Sequence, residues 1–123
     1  MGSPFVRAGV AFPAFIKAQE GLHPQIFFRF RRADAVSIER QHKAFKKETD
    51  IEKLVESMQA FVAQYLQEWE YSEPVNVENI KALMHPILLK TYFIIIQQEP
   101  SDPIPPEYLA TGETGTAEGE QKK

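Results

Sequence analysis

The period of apolar and polar residues changes along the chain, and each change marks an element. Between Gln25 and Arg31, Ile26, Phe28 and Phe30 fall on one side of an extended backbone, and Phe27, Arg29 and Arg31 on the other. That is the two-residue period of a β-strand. Phe12, Phe15 and Ile16 lie ahead of a Gly21-Leu22-His23-Pro24 turn, so residues 11–18 and 25–31 are expected to pair as a hairpin. Pro13 has no N–H to donate and is expected at an edge or a strand start. From Asp34 to about Lys47 the period becomes helical but weak, carried by Val36, Ile38, Ala44 and Phe45. This helix is expected to be more exposed than the next one, or completed by a partner.

The strongest pattern follows. Ile51, Leu54, Val55, Met58, Phe61, Val62, Tyr65, Leu66 and Trp69 recur every three or four residues, which predicts one amphipathic helix over 50–70 with Trp69 in the core. Thr49 and Glu52 have capping-box spacing at its start. After a break at Ser72-Glu73-Pro74, Asn76 is placed to cap a short helix from Val77 to about Met84. Pro86 fits the first turn of a last helix, running to about 98. Ile87, Leu88, Leu89, Tyr92, Phe93, Ile94, Ile95 and Ile96 make that helix apolar nearly all round. It is therefore either the central helix or partly an interface, with Phe93, Ile94, Ile95 and Ile96 exposed to a partner. Pro100, Pro103, Pro105 and Pro106 are then expected to stop any helix, and no large apolar residue follows Leu109. The expected fold is α+β and mostly α: an N-terminal β-hairpin, three to four helices and a disordered C-terminal tail. Residues 1–98 form the globular unit, and 99–123 the proline-rich, then acidic tail.

Composition narrows the function. With 123 residues, 43% hydrophobic and 25% charged, one ordinary core is within reach. The chain has no cysteine, which excludes disulfide scaffolds, thiolate zinc sites and cysteine nucleophiles. Its longest apolar run, Tyr92 to Ile96, is far shorter than the ~18 residues of a membrane span, and Met1-Gly2-Ser3-Pro4 lacks the layout of a signal peptide.

The net charge of −3 hides three blocks. Residues 29–47 carry Arg29, Arg31, Arg32, Arg40, Lys43, Lys46 and Lys47 against Asp34 and Glu39, a net of +5. Residues 48–78 carry eight acids against Lys53, a net of −7, and residues 99–123 carry six acids against two lysines, a net of −4. Opposite blocks suit packing between neighbouring helices or between copies, and they equally describe solvated faces.

No catalytic pattern emerges. His23, His42 and His85 are far apart, and Glu39 with His42 could hold a metal only with ligands from elsewhere. The glycines form no phosphate loop and the serines no nucleophile elbow. Glu68 and Glu70 diverge on a helix rather than converge as an acid–base pair. No enzyme activity, metal or cofactor is expected. Arg29, Arg31 and Arg32 interleaved with Phe27, Phe28 and Phe30 could stack bases and neutralise phosphates, although the acidic block that follows would repel them.

The order of these parts resembles the tail assembly chaperones of long-tailed bacteriophages over about residues 25–98. The features that carry it are Phe27-Phe28-Arg29-Phe30-Arg31 followed by a polar helix, and Leu66-Gln67-Glu68-Trp69-Glu70 at the end of the next helix. The segment from Glu73 to Leu83, Pro86 and the apolar helix complete it. Tyr71 and the short loop before Pro74 depart from the pattern. The resemblance implies a non-enzymatic protein that binds the tape measure protein and assists tail tube assembly. It would act in the cytoplasm of the infected host, remain absent from the finished virion, and often have a longer frameshifted form. Partner-binding residues would be Phe93, Ile94, Ile95 and Ile96, with Arg29 and Arg31. Oligomers with itself are compatible. The alternatives are a small nucleic-acid-binding protein using residues 29–47, or a structural tail or head-completion protein.

Overall fold

A computed structural model describes residues 11–109. The hairpin forms as the alternation predicts. Strand β1 (Ala11–Ile16) pairs antiparallel with β2 (Ile26–Arg31), from Ala11 opposite Arg31 to Ile16 opposite Ile26. This register puts Phe12 with Phe30, Ala14 with Phe28 and Ile16 with Ile26 on the face that joins the core. Gly21, at φ 79°, turns the connecting loop, a backbone region that a side chain would strain. Pro13 lies on the free edge of β1. Phe15 and Lys17, on the same side by alternation, send their N–H groups away from β2 to Ser101 and Asp102. The missing proline N–H therefore breaks no ladder bond.

Helix α1 (Ala35–Lys47) begins at Asp34, whose carboxylate accepts the Ser37 N–H at 2.7 Å. Helix α2 (Ile51–Tyr65) is capped by Asp50, not Thr49; the Asp50 carboxylate accepts the Glu52 N–H at 2.9 Å. Both residues are good caps, and sequence spacing does not separate neighbouring candidates.

The main departure comes at the end of α2. The predicted helix over 50–70 stops at Tyr65, and residues 66–69 turn into a third strand, β3 (Leu66–Trp69), paired antiparallel with β2. The sheet order is β1-β2-β3. Helical spacing of Tyr65, Leu66 and Trp69 concealed the switch. Along its far edge β2 offers unpaired backbone groups, and a strand satisfies them where another helical turn would not. Arg29 secures the strand by pairing with Glu68 at 2.6 Å. The Glu70 carboxylate accepts the Phe27 N–H at 2.7 Å, and the Glu70 N–H donates to the Phe27 carbonyl. Trp69 is consequently half-buried at the sheet margin, donating Nε1–H to the Glu73 carbonyl, rather than a core residue of α2.

Helix α3 (Val77–Lys81) is capped by Asn76, whose side chain accepts the Asn79 N–H at 2.8 Å. Helix α4 (His85–Ile95) carries Pro86 in its first turn, where no intrahelical N–H is needed. It lies against α2 and β1 and buries Ile87, Leu88, Thr91, Tyr92, Ile94 and Ile95. Of the two roles left open for it, α4 takes the central one.

A fifth helix, α5 (Pro106–Leu109), follows, so the globular unit does not end at 98. Residues 99–109 cross the sheet as a strap. The prolines do not stop every helix, because Pro106 takes the first position of α5, where no N–H is needed, and Ser101, Asp102 and Tyr108 give this stretch specific anchors. The tail expectation for 110–123 lies outside the described residues. The protein is α+β and mostly α, with α1 to α4 gathered around one face of a three-stranded antiparallel sheet and α5 against the other.

Candidate interaction surfaces

The residues expected to bind a partner are not brought together. Ile94, Ile95 and Ile96 are 5%, 0% and 1% exposed, so they cannot face a partner in this fold. Phe93 is half-buried against the same core. The correction has a simple cause: α2, the sheet and the loops around them wrap α4 on every side that its apolar residues require. Arg29 and Arg31 lie on the opposite face of the sheet and are already engaged. Arg29 pairs with Glu68 and sits 5.1 Å from the Phe27 ring centroid. Arg31 donates to the Gln64 carbonyl at 2.7 Å and lies 4.8 Å from the Tyr65 ring centroid. Arg32 stacks on Phe12 at 4.5 Å. The aromatic–arginine interleaving thus resolves into intramolecular cation–π contacts.

Two other surfaces take shape. The first is α1, which buries no residue. It is held by the half-buried Ile38 and Phe45, by Phe45 stacked on Tyr92 at 5.8 Å, and by Gln41 donating to Ser57 at 2.9 Å. Its outer side presents Val36, Arg40, Lys43, Lys46 and Lys47, all exposed, and none of the four bases is in an ion pair among the described residues. Burial pushes the Tyr92 phenol up, partly countered by its hydrogen bond with Gln41. The sequence carried this surface openly, as a weak apolar pattern inside the +5 block.

The second is the seat of the strap, which sequence reasoning missed. Phe15 and Phe27 are partners across β1 and β2 on the sheet's outer face. The Tyr108 ring stacks on Phe27 at 4.5 Å and leans on Phe15 at 5.7 Å. Its hydroxyl accepts from Gln25 Nε2 at 2.6 Å and donates to the Glu70 carboxylate at 3.2 Å. Tyr71 donates to the Gln25 carbonyl beside it. Partial desolvation, then the Glu70 charge, raises the Tyr108 phenol above its ordinary value. At the other end the Ser101 hydroxyl accepts the Phe15 N–H at 2.8 Å, the Asp102 carboxylate accepts the Lys17 N–H at 2.9 Å, and the Asp102 N–H donates to the Phe15 carbonyl. The signal was Phe27 itself, an aromatic residue beside Arg29 and Arg31 on the face opposite Ile26, Phe28 and Phe30.

Between α4 and the strap lies a hollow of about 390 Å³, bordered by Phe12, Ala14, Phe30, Ile94, Gln97 and Pro100. His42, which could join Glu39 at a metal only with ligands from elsewhere, faces Gln98 at 3.3 Å. No three His, Asp or Glu side chains among the described residues come together to hold a metal. No helix among them is long and apolar enough to cross a membrane. Comparison with protein-family models, curated proteins and solved structures finds no match to the chain.

Proposed function

We propose that this protein is a non-enzymatic tail assembly chaperone of a long-tailed bacteriophage, which binds the tape measure protein and assists assembly of the tail tube. The observation that carries the reading is α1: a helix of 13 residues that buries none of them and offers an apolar residue and four exposed bases to solvent. Its contacts with the core are confined to the seam at Ile38 and Phe45, which leaves its outer surface open to a client. The order of parts from residue 25 to 98 supports this kind of client, because it resembles the chaperone family in sequence. The strand at Leu66–Trp69 is where the fold departs from the pattern read as helix. The client-binding surface moves accordingly, from Phe93 to Ile96 and the sheet arginines to α1. On this reading the protein works in the host cytoplasm, without metal or cofactor, and leaves before the virion is complete.

Co-expression with a tape measure protein of a long-tailed bacteriophage tests the reading. A soluble complex is expected, and Arg40→Glu with Lys43→Glu and Lys47→Glu should weaken it at least tenfold. No complex from the intact chain, or full binding by the triple variant, would reject the assignment. The same exposed bases favour one second reading, nucleic-acid binding. In that case affinity for a DNA duplex would fall steeply with salt, by the slope expected for several phosphate contacts.

A further inference from the structure

We infer that the strap is exchangeable: α4 extends through Gln98, residues 99–109 lift from their own sheet, and they seat on the sheet of a second copy of this chain. Three observations meet at the hinge. Gln97 has φ 68°, the one positive φ at a non-glycine among the described residues. It closes α4 in a Schellman-like turn, with its N–H on the Ile94 carbonyl and the Gln98 N–H on the Phe93 carbonyl. Glycine is the usual residue there, and a side chain disfavours this backbone by roughly tenfold or more. Next, Gln97, Gln98 and Glu99 are good helix formers, so local preference runs toward continuing α4 until Pro100 ends it. Finally, the turn borders the hollow of about 390 Å³, so one side of it is open rather than packed against the body.

The occupant follows from the seat. What fits it is a segment with a serine and an aspartate for the β1 edge and, six residues on in a single helical turn, a tyrosine for the Phe15–Phe27 slot. A second copy supplies that segment in the same order, and its prolines keep it extended when released. Exchange rebuilds every strap contact reciprocally and changes only the hinges. Against it stands the advantage of the tethered strap, an effective concentration on the order of 1 mM. Two relaxed hinges, at about tenfold each, bring the crossover to on the order of 10 µM.

This inference does not depend on the chaperone reading. Sedimentation velocity on the full chain tests it, from about 1 µM to 1 mM. The expected result is a monomer–dimer crossover near 10 µM for the native sequence. Gln97→Val, which resists positive φ, should lower the crossover at least tenfold. Gln97→Gly, which accepts it in both copies, should raise the crossover about a hundredfold, toward 1 mM. Adding Tyr108→Ala to Gln97→Val removes the anchor of the strap without touching the core and should restore the monomer. A native chain that stays monomeric throughout, equal crossovers for Gly and the native residue, or a dimer that survives Tyr108→Ala would each overturn the inference.

Discussion

Helices α1 and α4 are of similar length and run through opposite fates. The 11 residues of α4 bury six side chains, while the 13 of α1 bury none. Each has few polar contacts beyond its own backbone, so burial makes the difference. Side chains of α4 are surrounded by α2, β1 and the loops between them. Those of α1 touch the body along one narrow seam at Ile38, Gln41 and Phe45. One helix is therefore a condition of folding, and the other is a fixture whose outer surface is open to a function.

The largest effect should come from α4. Ile95→Ala empties a fully buried site and should destabilise the whole domain by about 2–5 kcal/mol, seen as one cooperative shift in a urea titration. On the α1 side, Phe45→Ala removes its stack on Tyr92 and should cost only about 1–2 kcal/mol. Its signature is local: amide exchange in α1 should accelerate while α2 and α4 stay protected. If both variants lose all protection together, the two helices form one cooperative unit and the contrast fails.

A smaller change runs in the opposite direction. The Thr91 hydroxyl is buried in α4 with no hydrogen-bond partner among the described residues. Thr91→Val removes that uncompensated polar group at similar size and should stabilise the protein by about 1 kcal/mol; a loss in thermal stability would show the hydroxyl to be satisfied.

The smallest effect is the pH response of the α1 cap. The backbone and side-chain hydrogen bonds from Ser37 hold the Asp34 carboxyl below its ordinary value. The unfolded chain then takes up this proton at higher pH than the folded one. The stabilisation is complete above the ordinary carboxylate pKa of about 3.9 and is lost as pH falls through the lower, folded value. Exchange in the first turn of α1 should rise selectively in that range, and Asp34→Ala should abolish the dependence.

Local rules settled a good part of this molecule. The alternation from Ile26 to Arg31 set the hairpin register, because a one-residue slip would carry Phe28 out of the core. Asp34, Asn76 and Pro86 started their helices where capping chemistry and a fixed φ allow. The weak apolar pattern of α1 gave away its exposure. Tertiary structure decided what periodicity cannot express. Leu66 to Trp69 left the helix because β2 had an unpaired edge to satisfy, a demand set by a strand 35 or more residues earlier in the chain. Ile94, Ile95 and Ile96 became core rather than interface because α2 and the sheet converge on them, and an apolar helix reads the same in either setting. Phe27 and Tyr108, 81 positions apart in the sequence, became a stacked pair. The sequence records the apolar character of each ring, but only the folded chain brings them into contact.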